Sequence, residues 1–217
     1  KRMKNLSQQI AADLAKIGAV KFTPNTPIRF KSGILSPVYV DNRIIPYHPA
    51  VWEQVITHFI HVAMQICEPF DVVAGIATGG IPHSAVIAYS IKTPSVYVRK
   101  EEKEHGLKNR VEGGDVTHKR VLLIEDMITT GGSSLSGVQA LRESGAIVGD
   151  CIAIVSYDFP EAKTAFAEAK ILLHTLTTFP IILDEAKTLG VVDEGTFALV
   201  SDWLSDPHGW AGRHNLS

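Results

Sequence analysis

Apolar and polar positions alternate in two rhythms along this chain, and the change between them divides it. Near the N-terminus, Ile10, Ala11, Leu14 and Ile17 recur at helical spacing, with Ser7 as the expected cap and Gly18 as the expected stop. From Val20 to Tyr47 short extended pieces, such as Arg29 to Lys31 and Val38 to Asp41, are punctuated by Pro and Gly, which predicts a small β-rich hood over residues 20–47. Pro49 then opens a helix carrying Val51, Val55, Ile56, Phe59 and Val62 to Ile66.

Beyond it, apolar runs of strand length alternate with helical stretches. Val72 to Ile76 precedes a helix from Pro82 to Ile91, and Val96 to Val98 precedes a long charged loop. Val121 to Ile124 precedes a helix from Ser133 to Ser144, Cys151 to Val155 one from Phe159 to Ala169, and Ile171 to Leu176 closes the series. That order predicts an α/β fold with a parallel core sheet flanked by helices. We expect one domain over residues 1–217, with a core at about 49–177 and a hood that the C-terminal region completes. In such sheets ligands gather at the carboxyl ends of the strands, so the loops after Ile76, Val98 and Ile124 are the ones to inspect.

Composition narrows the picture by exclusion. Of 217 residues, 45% are hydrophobic and 20% charged, enough apolar material for a covered sheet. A net charge of -2 gives no support for a nucleic-acid partner. No segment approaches the roughly 18 apolar residues of a membrane span. Cys67 and Cys151 lie in apolar contexts that suit reduced core thiols and a cytoplasmic location better than a disulfide or a metal site. His48, His58, His61, His83, His118 and His174 show no metal-ligand spacing, and Trp203 and Trp210 read as cover for the core or an interface.

The densest chemistry lies in Val121-Leu-Leu-Ile-Glu125-Asp126-Met127-Ile128-Thr129-Thr130-Gly131-Gly132-Ser133. A buried strand delivers two acids at its end, and a turn of small residues leads straight into a helix. Backbone N–H groups and hydroxyls of Thr129, Thr130, Gly131, Gly132 and Ser133 can converge on one phosphate at the helix N-terminus. No Lys follows the glycines, unlike a Walker A loop, and the spacing is not that of a dinucleotide fold. Glu125 and Asp126 could accept hydrogen bonds from the vicinal hydroxyls of a pentose whose 5-phosphate fills that cradle. A second glycine turn, Gly75-Ile-Ala-Thr-Gly79-Gly80-Ile-Pro82, offers backbone donors to pyrophosphate or is simply a tight turn.

The thirteen-residue string closely resembles the phosphoribosyl pyrophosphate (PRPP) motif of the type I phosphoribosyltransferases. Two further segments resemble the orotate phosphoribosyltransferase branch of that family. In the long loop, Arg99-Lys100-Glu-Glu-Lys103-Glu-His105-Gly, alone a solvated charge run, is similar to the family's catalytic loop. The hood string Lys31-Ser-Gly-Ile-Leu-Ser-Pro-Val-Tyr39-Val-Asp-Asn-Arg43 is similar to its orotate-side segment.

The resemblance, over about Lys31 to Ala169, implies a transferase that joins orotate to the ribosyl 5-phosphate of PRPP, releasing pyrophosphate on the way to UMP. It implies that Lys103, His105, Asp126 and Lys31 are catalytic. It also implies that Arg99, Lys100, Lys103 and His105 meet pyrophosphate, and that Glu125, Asp126, Met127, Ile128 and Thr129 to Ser133 hold the rest of PRPP. Thr129, Lys31 and Tyr39 lie on the orotate side. It implies Mg2+ carried by PRPP rather than by protein side chains, and a homodimer whose loop enters the partner's site. The sequence departs from the family where Gly79 replaces a lysine found in some members, and where Tyr157 replaces an arginine that contacts the orotate carboxylate in many. Transfer to another base, or a PRPP-sensing regulator without turnover, stand as alternatives.

Overall fold

The computed structural model describes residues 5–101 and 110–216. Helix α1 (Leu6–Lys16) is capped by Asn5 rather than by Ser7. The Asn5 side chain accepts from the Gln8 N–H while the Gln8 side chain accepts from the Asn5 N–H, a reciprocal box two residues earlier than expected. The hood segment forms two small antiparallel ribbons: β1 (Val20–Phe22) with β4 (Val38–Val40), and β2 (Ile28–Arg29) with β3 (Leu35–Ser36). A 3-10 helix, Asn42–Tyr47, leads to α2 (Pro49–Gln65), whose buried residues Val55, Ile56, Phe59 and Ala63 follow the helical period.

The core alternates as its pattern predicts: β5 (Val72–Ile76), α3 (Gly80–Ile91), β6 (Ser95–Val98), β7 (Val111–Glu112), β8 (Val121–Ile128), α4 (Gly132–Glu143), β9 (Asp150–Ser156), α5 (Pro160–Glu168), β10 (Leu172–Thr178). Helices α6 (Phe179–Thr188), α7 (Glu194–Ser205) and α8 (Trp210–Arg213) complete the chain. The six-stranded sheet has the order β10-β9-β8-β5-β6-β7, parallel except for β7, which runs antiparallel to β6. Strands β5 and β9 are buried along their whole length because helices cover both faces.

Period-two alternation sorts the strand side chains. Leu122, Ile124, Ile152 and Ile154 join the layer of Phe59, Ile87, Phe179 and Trp203, whereas Leu123, Cys151 and Ala153 join that of Val138, Leu141 and Phe166. Trp203 and Trp210 are fully buried, and Trp203 Nε1 donates to the Leu35 carbonyl (2.9 Å), tying α7 to β3 of the hood segment. Among the described residues no helix is long and apolar enough to cross a membrane.

One boundary matters for the site. Strand β8 continues four residues past Ile124 because Glu125 to Ile128 stay paired with β9, in the register Met127↔Val155 and Ile128↔Ser156. The two acids therefore lie within the strand, not beyond it.

Candidate active site

Successive residues of a strand point to opposite faces, so Glu125 and Asp126 part company. Glu125 turns inward and is 4% exposed. Its carboxyl accepts from Ser134 Oγ (2.8 Å) and from the Asp126 N–H (3.0 Å). Burial, reinforced by the neighbouring Asp126, pushes its pKa well above the ordinary glutamate value. Glu125 thus braces the first turn of α4 through Ser134, while Asp126, on the opposite face of the strand, is half-buried.

Asp126 lies against the second glycine turn. A β-carbon on Gly79 would fall 2.2 Å from the Asp126 Cγ, and one on Gly80 would fall 2.5 Å from the Ile124 carbonyl oxygen. Gly75 is equally confined, by Ser84 Oγ at 2.3 Å. Gly80 meets the backbone of β8 itself, Gly79 the Asp126 carboxylate, and Gly75 the Ser84 hydroxyl and the Gly80 carbonyl, so each position has little room for a side chain. A side chain at position 79 would therefore have to displace the Asp126 carboxylate. The Ala77-Thr78 peptide in this turn is cis.

The cradle follows. Met127 is partly buried and Ile128 is a core residue at 1% exposure, so Ile128 has only backbone to offer a ligand. Thr129 and Thr130 are half-buried. Gly131 takes φ +85°, where a β-carbon would strike the Phe166 ring at 2.7 Å, and it turns the chain into α4 without any side-chain cap. The first amides of α4 thus have no side-chain partner at the cap, and Gly132 and Ser133 are exposed in front of them.

A family model described as phosphoribosyl transferase domain matches residues 48–166. The orotate phosphoribosyltransferase of Coxiella burnetii is 41% identical over 206 residues, 95% of this chain and 99% of that one. That of Bacteroides thetaiotaomicron is 40% identical over 212 residues, 97% and 100% of the two chains. The chain belongs to the orotate phosphoribosyltransferases, a family of pyrimidine biosynthesis. The crystal structure of the Aeropyrum pernix orotate phosphoribosyltransferase superimposes with a TM-score of 0.73 at 30% identity, over 85% of this chain and 99% of that one.

Measured against that family's motifs, the described residues divide. Lys103 and His105 lie outside them. Arg99 stands at the root of the loop, its guanidinium 3.7 Å from Glu112 of β7, while its backbone pairs with Arg110. Arg110, not singled out from the sequence, bridges the Arg99 carbonyl to the carbonyl and hydroxyl of Ser136 in α4. Lys100 and Lys31 are exposed, and Tyr39 is half-buried.

Tyr157 does not face the ligand edge as a free donor. It is 3% exposed among Phe30, Phe159, Phe179 and Trp203, with ring centroids 5.1–5.4 Å away, and burial pushes its phenol pKa up.

Three residues that sequence reading left without a role converge on Asp126. The Asn42 amide donates to the Asp126 carbonyl (2.7 Å), joining the hood segment to the end of β8. Arg43 holds Asp41 through Nε (2.6 Å) and Nη2 (2.9 Å) and donates from Nη2 to the Tyr39 hydroxyl (2.9 Å); its charge also interacts with Asp126. The arginine hydrogen bond holds Asp41 below the ordinary carboxylate range. His83, fully buried, accepts at Nδ1 from Trp52 Nε1 (3.1 Å), which leaves its proton on Nε2, where no partner is present among the described residues. Burial pulls its pKa down to about 4 against the opposing pull of Asp126. The only sequence signal for Asn42 and Arg43 was their place at the end of the hood string; His83 gave none.

Proposed function

We propose that this chain transfers the 5-phosphoribosyl group of PRPP to orotate, with Asp126 as the pivot of the site. The observation that carries the reading is the end of β8. One half-exposed carboxylate lies against a glycine turn, and five residues on Gly131, at positive φ, leads into a helix without a side-chain cap. The 5-phosphate takes the amides and hydroxyls of Thr129 to Ser133, and Asp126 accepts from the ribose hydroxyls. Glu125 sets the cradle from behind through Ser134. The turn at Ala77 to Gly80 meets pyrophosphate with backbone donors.

As the C1–O bond breaks, positive charge spreads over C1 and the ring oxygen while negative charge grows on pyrophosphate. Protein groups act by position and field rather than by covalent bonds. Lys100, Lys103 and His105 bring positive charge to pyrophosphate, with Arg99 at the loop's root. Lys31 and Tyr39 flank orotate. With Tyr157 buried in the aromatic wall, Arg43 supplies the charge for the orotate carboxylate, because its Nη1 amino group holds no partner among the described residues. A single half-exposed carboxylate suits Mg2+ held mainly by PRPP oxygens and water. Bound there, the ion would neutralise pyrophosphate. The active unit is a homodimer with shared sites in the cytoplasm, in keeping with Cys67 and Cys151 forming no disulfide.

The test follows the loss of orotate absorbance with PRPP and Mg2+. Wild type turns over and EDTA stops it. Asp126→Asn folds normally and loses activity on the order of 10²–10³-fold. Unchanged turnover in Asp126→Asn overturns the assignment.

A further inference from the structure

We propose that Cys67, Asp150 and His174 form a second, independent site that binds one divalent transition-metal ion of the zinc class, closed by a water. The three residues are far apart in sequence, so no ligand spacing announces them. The fold brings them together: Cys67 follows α2, Asp150 opens β9, and His174 lies on β10, which pairs with β9. Their Sγ, carboxylate oxygen and imidazole nitrogen all lie within 4.8 Å of one another. His174 Nε2 is 2.7 Å from Asp150 Oδ1, and the Cys67 thiol donates to the same carboxylate.

Several observations favour a cation there over a closed hydrogen-bond cluster. Asp150 is 5% exposed, and the described donors to it are the Cys67 thiol, the His174 ring and a long contact from the Glu68 N–H (3.3 Å). Among the described residues its ion-pair partner is His174, cationic only in the protonated form, and no lysine or arginine joins it. A buried carboxylate normally has a cationic partner. The donor set joins one sulfur, one nitrogen and one oxygen, the mixture that zinc accepts. A tetrahedral zinc ion with bonds of about 2.0–2.3 Å holds its ligand atoms about 3.3–3.8 Å apart. Side-chain movements of about 1 Å therefore turn the cluster into a coordination shell.

On binding, the thiol proton leaves to solvent and a sulfur–metal bond replaces it. The Asp150–His174 hydrogen bond opens into two metal bonds. The ion would staple the end of α2 to β9 and β10. It would sit at the amino-terminal edge of the sheet, roughly 20 Å along β9 from the ligand loops. It is thus a stabilising site and not part of the transfer chemistry.

Cobalt is the probe, because a cobalt thiolate gives a near-ultraviolet charge-transfer band that neither carboxylates nor substrate phosphates produce. Tag-free wild type titrated with Co2+ should show this band, saturating at one ion per chain. Zn2+ should abolish it and raise the Tm. Cys67→Ser should lose both the band and the Zn2+-dependent rise in Tm while orotate turnover stays at the wild-type level. His174→Gln should weaken binding at least about tenfold, and Cys151→Ala should keep the band. No band at saturating Co2+, or a band that survives Cys67→Ser, overturns the site. Turnover is read separately, so failure here leaves the active-site reading intact.

Discussion

The Asp126 carboxylate rests on the face of Gly79 where a side chain would otherwise stand: a β-carbon there would come 2.2 Å from Cγ. The glycine turn after β5 thus sets the position of the acid at the end of β8. Gly79→Ala should push Asp126 aside and lower kcat on the order of 10²-fold with little change in Tm. Steady-state kinetics with a parallel thermal melt checks this, and wild-type kcat in Gly79→Ala would remove the link.

The two glycines of the cradle should behave differently. A side chain at Gly131 meets Phe166 and a positive φ, so Gly131→Val should cost about 2–4 kcal/mol of stability before any effect on phosphate is felt. At Gly132 nothing lies within 4 Å. Gly132→Val should keep the wild-type Tm and raise KM for PRPP more than KM for orotate. Equal loss for both substrates would count against the cradle.

Arg43 offers a test of orotate recognition. Removing a charged hydrogen-bond donor from a substrate carboxylate is worth about 1.5 kcal/mol, roughly tenfold. Arg43→Ala should raise KM for orotate about tenfold and leave KM for PRPP near wild type. A change confined to PRPP would assign Arg43 to the ribose side.

His83 should shape the acid limb of stability. Its folded pKa, about 4, lies below the unfolded value of 6.5, so the folded state resists its protonation. The associated stability is complete above pH 6.5 and is lost as pH falls towards 4, in total about 3 kcal/mol. The raised pKa of Glu125 works in the opposite sense, contributing below the ordinary glutamate range and losing its contribution as pH rises through its folded pKa. Urea melts between pH 7 and 4 should show a shallower decline for His83→Phe than for wild type, whatever the offset between the two proteins. Parallel curves would remove His83 as the cause.

Shared sites make a complementation prediction. When Lys103 acts in the partner's site and Asp126 in its own, a mixed dimer of Lys103→Ala and Asp126→Asn has one wild-type site and one doubly damaged site. Random exchange at equal concentrations makes about half of the dimers mixed, so about a quarter of wild-type activity should return. Heterodimers confirmed by native mass spectrometry but without recovered turnover would show that each loop serves its own chain.

The alternation of apolar runs with helical stretches was enough to predict the parallel core, because buried parallel strands must be apolar on both faces and their crossovers amphipathic. The string from Val121 to Ser133 likewise marked the ligand end of that sheet, since strand, acids, small turn and helix are contiguous in sequence. Local signals placed boundaries less well. Asn5 caps α1 in place of Ser7, and β8 runs on to Ile128, because pairing with β9 extends a strand past the point where apolar residues stop.

What contacts distant in sequence decide was not legible. The pleat sends Glu125 inward and Asp126 outward, and the glycine turn some 47 positions earlier then seats Asp126. Tyr157 sinks into an aromatic wall assembled from the hood segment, α6 and α7, while Arg43 arrives beside Asp126 from the 3-10 helix. Cys67, Asp150 and His174 meet only because β9 and β10 run side by side below the end of α2. Periodicity reports which face of an element is buried; it carries no information on which distant residue that face will meet, and that is what tertiary packing settles.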